Sequence, residues 1–249
     1  MLHRSGALGE ARFAVSDRWG GVSTRPYAEL NLAEHVADDP GHVAENRRRL
    51  LGALPGADRL AFMHQVHGAD VAMVPAAGTP GAPAADALLC STPGVAVLVM
   101  SADCVPVLLA GRSRPIVAVA HAGRQGVASG VVPAALDALA QQGAGPDELV
   151  ALVGPAVCAG CYEVPPVMRD AGAAAVPEAY AVSAAGTPAL DLPAAVEAQL
   201  RRAGVTDVAR SPECTRESPH LYSHRREGMT GRFASVAWIP AVPSGAGAS

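Results

Sequence analysis

Aromatic side chains are scarce in this chain: two Trp, four Tyr and three Phe among 249 residues. Half of the residues are nonetheless hydrophobic, so the core has to be assembled from Ala, Val and Leu, and a chain of this length buries a substantial one. Charge is sparse too, at 17% of residues, with a net charge of -4 and no basic run beyond Arg47-Arg48-Arg49. That run lies in a segment of helical spacing and reads as a solvated face, so the electrostatic footprint of a nucleic-acid binder is missing. No apolar stretch is long enough to span a bilayer, and Met1-Leu2-His3-Arg4-Ser5-Gly6 lacks the apolar core of a secretory signal. The reading is a cytoplasmic protein that engages neither membrane nor nucleic acid. Its five Cys, an odd count, argue against a disulfide framework.

What is present is a strand-rich middle flanked by helical segments. Strands are expected over 12–15, 60–66, 71–74, 95–100, 105–109, 116–120, 149–153, 205–209 and 233–239. Helices are expected over 42–54, 128–141, 166–174 and 192–203, the last with Asp191 as cap and Pro193 just inside it. The alternation lacks the regularity of a doubly wound sheet. The expected fold is therefore α+β, with mixed sheets and outer helices in a layered α/β/β/α arrangement. A single domain is expected over 1–239, followed by a charge-free Pro/Gly/Ala/Ser tail over 240–249 that reads as disordered.

Two short stretches follow β-forming runs in the interior. Ser101-Ala102-Asp103-Cys104 follows Val95 to Met100, and His121-Ala122-Gly123 follows Ile116 to Ala120. The chain between them reads as a hairpin, which brings Cys104 and His121 together for a geometric reason. A third donor is offered by His64 or His67. The two point to opposite faces of an extended segment, and His67 is preferred because Gly68 lets the backbone turn beside it. One thiolate and two imidazoles suit zinc and leave a fourth coordination position open. Cys158-Ala159-Gly160-Cys161 has the spacing of half a zinc knuckle or of a redox dithiol. Without a second such pair it reads as a turn carrying two half-buried thiols. The segments from Arg18 to Ser23 and from Tyr222 to Arg232 are polar and Gly-punctuated, with Arg18, Arg225 and Arg232 able to meet a phosphate.

Several ordered motifs together resemble the YfiH-like family, also known as the laccase-domain or polyphenol-oxidoreductase family. They are Arg18 to Ser23 with Asn31-Leu32, Gln65-Val66-His67-Gly68, Ala102-Asp103-Cys104 with Pro106, and His121-Ala122-Gly123. Gly154-Pro155, Cys161-Tyr162-Glu163-Val164, Cys214-Thr215 and Ser223 through Arg232 follow. The resemblance covers nearly the whole chain. It implies an α/β/β/α fold and a metal bound by His67, Cys104 and His121. The implied activity is that of a zinc-dependent purine nucleoside phosphorylase, with adenosine deaminase and methylthioadenosine phosphorylase activities. Cys104, His121 and Asp103 are then the expected catalytic residues, Asp103 orienting a ligand, shuttling a proton or serving structurally. Arg18, Ser23, Asn31, Arg225 and Arg232 are the expected substrate contacts. The implied partners are a nucleoside and phosphate; the oligomeric state is left open. Where the family often reads HAGWRG, this chain has His121-Ala122-Gly123-Arg124-Gln125-Gly126, which bears on specificity and leaves the metal donors in place.

Two other functions are compatible with parts of the pattern. Copper is a less suitable cofactor than zinc, because a multicopper phenol oxidase uses about ten His donors and this chain has eight and no HxH pair. A cysteine hydrolase would use Cys104 as nucleophile and His121 as base, in keeping with the link between this family and editing of peptidoglycan precursors.

Overall fold

Runs of Val, Ala and Leu form two β-sheets stacked face to face in the computed structural model, which describes residues 1–75 and 81–241. The strands of one sheet, in spatial order, are Leu2–Leu8 (β1), Ala11–Ser16 (β2), Phe233–Trp238 (β13), Val95–Ser101 (β6) and Arg59–Ala61 (β3). The other runs Asp207–Arg210 (β12), Leu149–Val153 (β9), Val105–Gly111 (β7), Val117–Ala122 (β8), Ala87–Cys90 (β5) and Val71–Met73 (β4). Both are mixed: β3 runs parallel to β6, and β12 to β9, while the central pairs are antiparallel. Tyr180–Val182 (β10) and Pro188–Leu190 (β11) make a separate small hairpin.

The central strands are buried on both faces, which is why they read as continuous apolar runs rather than alternating ones. Val97 and Val99 from one sheet pack against Leu108, Val119 and Leu152 from the other, forming the layer between the sheets. On the far side of the five-stranded sheet, Ala96, Leu98 and Met100 meet Leu50 of the helix Pro40–Gly52 (α1). The far side of the six-stranded sheet packs against helices Arg124–Ser129 (α2), Val131–Gln141 (α3) and Leu192–Arg202 (α5). Helices Pro166–Ala175 (α4) and His224–Glu227 (α6) complete the set. The result is the expected α/β/β/α layering. Among the described residues no helix is long and apolar enough to cross a membrane.

Several boundaries differ from the sequence reading, each for a local reason. The helix expected over 128–141 is two helices, broken at Gly130, whose φ of 83° is open to glycine and strained for other residues. The strand expected over 60–66 ends at Ala61. The chain then leaves the sheet, and the His64 N–H donates to the Pro83 carbonyl at 2.7 Å. Asp191 caps α5 as expected, accepting from the Ala194 N–H at 2.9 Å. At the far end, the Ala241 N–H donates to the Gly56 carbonyl at 2.8 Å, so the packed chain continues past Pro240. The rest of the expected tail lies outside the described residues.

Candidate metal centre

Two chain crossings and one strand end meet at the same end of the sheets. Cys104 lies where the chain passes from β6, in one sheet, to β7, in the other. His67 lies on the corresponding crossing from β3 to β4. His121 is near the end of β8, paired with Pro106 in the hairpin. The donor atoms of His67, Cys104 and His121 all lie within 4.8 Å of one another. The two imidazole rings meet edge-on, with centroids 4.7 Å apart. His64 is outside this group.

The turn that presents His67 is made by His67 itself, which has a φ of 62°, and not by Gly68 as the sequence reading had it. A non-glycine residue in that region persists only where its surroundings hold it. What holds it is Asp86, a fully buried carboxylate that no motif in the sequence singled out. Its Oδ1 accepts from the His67 N–H at 3.0 Å, and its Oδ2 from the N–H groups of Gly68 at 2.6 Å and Val66 at 3.2 Å. Oδ1 also meets Nδ1 of His121 at 2.9 Å. Burial pushes Asp86 upward, but the bonds from His121, Gly68 and His67 outweigh it and hold the carboxyl below its ordinary range. The carboxylate thus accepts a hydrogen bond from the Nδ1–H of His121 and leaves Nε2 turned to the donor group, the usual support of a metal-bound imidazole. The only advance sign was a lone Asp directly before the apolar run of β5.

Burial pushes the Cys104 thiol up and the His121 imidazole down. Their attraction for each other, with His67 beside the thiol and Asp86 beside the imidazole, reverses both. Cys104 is brought down to about 6 and His121 up to about 9, so at neutral pH the metal-free pair is a thiolate facing an imidazolium. Gly123 lines the same spot. A Cβ there would stand 3.1 Å from Sγ of Cys104 and 3.1 Å from Cδ2 of His67, so glycine keeps a space open between the donors. Gathered donors, an oriented imidazole and this open cradle fit a zinc-type ion with one free position.

Asp103 has a φ of 102° and is spent on positioning. Its Oδ1 accepts from the Thr215 hydroxyl at 2.6 Å and its Oδ2 from the Arg225 N–H at 2.6 Å. Arg18 pairs with Glu227, donates to the Ala28 carbonyl at 3.3 Å and lies over the Tyr222 ring. Ser23 and Asn31 are buried in one polar knot with Asp38 and Asn46. Every polar side-chain atom of Asn31 is committed, Oδ1 accepting from the N–H groups of Ala33 and Arg232. Ser23 and Asn31 therefore spend their side-chain hydrogen bonds within the fold, and Arg18 spends Nε and Nη1 there.

Arg232 and Arg225 differ from these. Arg232 lines a cavity of about 300 Å³ together with His35, His67, Cys104, His121 and His224. Arg225 lines an adjoining cavity of about 180 Å³ with Cys104, Tyr162 and His224. Its guanidinium lies over the Tyr162 ring at 5.0 Å. Arg124, the departure after Gly123, acts on the same tyrosine through its charge. Burial and then the Cys104 thiolate raise Tyr162, against the pull of Arg124 and Arg225. Arg225 and Arg124 have no side-chain hydrogen bond or ion pair among the described residues, whereas Nη1 of Arg232 donates to the carbonyls of Thr230 at 2.8 Å and Gly231 at 3.0 Å. His224 donates from Nδ1 to the Gly228 carbonyl, 2.6 Å away, since a carbonyl only accepts. Sequence reasoning missed Asp86 and His35, each a single residue without motif spacing, and gave His224 no role within the Ser223 to Arg232 stretch.

The profile of the family described as multi-copper polyphenol oxidoreductase laccase matches residues 12–240. A purine nucleoside phosphorylase of Streptomyces coelicolor is 51% identical over 243 residues, covering 96% of this chain and 100% of that protein. One of Pseudomonas aeruginosa is 41% identical, covering 94% and 95%. Among solved structures, YlmD from Geobacillus stearothermophilus superposes with a TM-score of 0.82 at 32% identity, covering 92% of each chain.

Proposed function

We propose that this chain, which belongs to the multi-copper polyphenol oxidoreductase laccase family, is a zinc-dependent purine nucleoside phosphorylase. Its substrates are adenosine, inosine and methylthioadenosine, and adenosine is also deaminated in the same pocket. The observation that carries the reading is the position of Cys104 between two adjoining cavities. One is lined by His67, His121 and Arg232, and the other by Tyr162 and Arg225. His67, Cys104 and His121 would hold the metal, which supplies Lewis acidity toward a substrate or water oxygen.

Phosphorolysis forms a bond from a phosphate oxygen to C1′ of the ribose and breaks the bond from C1′ to the purine nitrogen. Most of the catalysis is positioning and charge complementarity. Arg225 and Arg124 supply two uncommitted cations for the phosphate dianion. Arg232 and His224 face the nucleoside, and Asp103 holds the Arg225 backbone in register with Cys104. Laccase chemistry of the multicopper type fits less well. Among the described residues only one candidate metal group contains histidine, and it contains two.

The zinc-loaded protein is expected to release hypoxanthine from inosine only when phosphate is present, and ribose 1-phosphate in equal amount. Arg225→Ala should raise the KM for phosphate about tenfold, as expected when one charge-assisted contact worth about 1.5 kcal/mol is lost, with a smaller effect on the KM for inosine. Absence of phosphate-dependent release by folded, metal-loaded protein overturns the reading.

A cysteine hydrolase is favoured by one observation, the thiolate–imidazolium pair. Alkylation separates the two. In metal-free protein, iodoacetamide should modify Cys104 readily at neutral pH and progressively less as pH falls through about 6, where the thiolate is protonated. Bound zinc should protect it. Peptide mapping that finds Cys104 equally reactive with zinc bound favours the hydrolase.

A further inference from the structure

Cys158, Cys161, Cys214 and Glu217 form a second group of donors, remote in sequence from the first, with ligand atoms all within 4.8 Å of one another. We propose that these four residues bind a second, structural zinc-type ion, independently of the catalytic reading above. The sequence shows one Cys-x-x-Cys pair, and the fold supplies its partner. Cys214-Thr215-Arg216-Glu217 repeats the same spacing, with a carboxylate in the place of the fourth thiol.

The two segments have the same local geometry. The Cys161 N–H donates to the Cys158 carbonyl at 3.0 Å, and the Glu217 N–H to the Cys214 carbonyl at 3.2 Å. Each turn folds its fourth side chain back beside its first, as the paired turns of a zinc knuckle do. The turns are joined by a parallel bridge between Ala156 and Cys214, with the Thr215 N–H donating to the Ala156 carbonyl at 3.0 Å. The Cys158 N–H points at Sγ of Cys214, 3.3 Å away, and Sγ of Cys161 lies 3.3 Å from Oε1 of Glu217. A backbone N–H aimed at sulfur stabilises a thiolate. A tetrahedron with zinc–ligand bonds of about 2.3 Å has edges of about 3.8 Å, which this group can close with small side-chain rotations. Cys158, Cys161, Cys214 and Glu217, three of them wholly or partly buried and Glu217 exposed, would fill all four positions of a tetrahedral ion. Such a closed site is structural and has no place for substrate.

The site would brace the wall of the catalytic cavity. Thr215, inside the second turn, donates to Asp103, the neighbour of Cys104. Tyr162, next to Cys161, carries Arg225 over its ring. Arg226 donates to the carbonyls of Thr215, Arg216 and Ser218 around the same turn.

Metal counting on the full chain tests this. After loading with Zn2+ and removal of excess, the Cys158→Ser/Cys161→Ser variant should hold one equivalent fewer than the parent. Cys104→Ser should keep the equivalent that the knuckle binds. Failure of the catalytic centre to bind metal would lower both counts alike and leave this difference intact. Should the double variant not fold, Co2+-loaded Cys104→Ser gives a second reading. Its absorption must show a site rich in thiolate ligands. Glu217 is exposed, so its substitution spares the core: Glu217→Cys should slow zinc loss to a chelator at least tenfold, and Glu217→Ala should speed it. Equal zinc counts in Cys158→Ser/Cys161→Ser and parent overturn the proposal. So do a Co2+ spectrum without thiolate bands in Cys104→Ser, and a disulfide among these cysteines in protein isolated under reducing conditions.

Discussion

Gly123→Ala is expected to abolish zinc retention and nucleoside phosphorolysis together while the fold survives. The backbone at Gly123 has φ -71° and ψ 171°, a conformation alanine adopts freely. The position is the N-cap of α2 and its residue makes no side-chain cap, so the exchange costs about 1 kcal/mol there. For a chain of this size that is a fall in Tm of about 2–4 °C. The added methyl group, however, has to sit 3.1 Å from both Sγ of Cys104 and Cδ2 of His67. Relief requires each donor to retreat by a few tenths of an ångström, more than the roughly 0.2 Å that metal–ligand distances tolerate. His67 cannot retreat easily, because Asp86 holds the backbone N–H groups on both sides of it and its own. Zinc affinity should fall by at least 100-fold, the upper range for loss of a supporting contact, since two ligands are displaced at once. Equilibrium dialysis, with circular dichroism as the control for folding, measures it. Unchanged affinity in folded Gly123→Ala would show that the donors do not close on the space in front of Gly123.

How far the sequence announces this site depends on the kind of residue. Cys104 and His121 are legible because each ends an apolar run and the two runs read as a hairpin, a local pattern that the pairing of Pro106 with His121 reproduces. The layering is legible from strands with no polar face, which have to be covered on both sides. Asp86 is not legible in this way. Its partners are 18 to 35 residues distant, and a lone carboxylate before a strand carries no period. The knuckle is half legible: Cys158 and Cys161 share a turn, but Cys214 is 56 residues beyond Cys158 and the fourth donor is not a cysteine. The strand β1 escaped for another reason. Leu-His-Arg-Ser-Gly-Ala-Leu lies at a sheet edge and is largely exposed in the middle, so burial never imposed an alternating pattern on it. The same reasoning explains Ser23 and Asn31. The resemblance alone made them ligand contacts, and only the fold shows that Asp38 and Asn46 take up the Ser23 hydroxyl, and that Asp38, Ala33 and Arg232 take up the Asn31 amide.

Asp86→Asn is expected to weaken zinc binding and destabilise the metal-free protein at the same time, because one carboxylate serves both purposes. Four donors converge on its two oxygens: three consecutive backbone N–H groups and Nδ1 of His121. An asparagine keeps one acceptor oxygen and turns an NH2 group toward whichever two donors met the other. Whichever way the amide sits, two donors lose their partner. At about 1.5 kcal/mol each the loss is about 3 kcal/mol, a fall in Tm of roughly 10 °C. If the lost pair includes His121, its tautomer is no longer fixed and zinc affinity should drop about 10–100-fold. The pH dependence identifies the cause. A depressed carboxyl contributes stability that is complete above its unfolded value of 3.8 and is lost as pH falls through the lower folded value. The raised imidazole of His121 contributes stability that is complete below 6.5 and is lost as pH rises through about 9. In metal-free protein the difference in Tm between parent and Asp86→Asn should therefore be widest between these limits, from about pH 4 to 6.5. It should narrow toward strong acid and again as pH rises from 6.5 through about 9. A difference that stays constant across that range would mean that Asp86 acts by packing alone, and that the His121 imidazolium owes nothing to it.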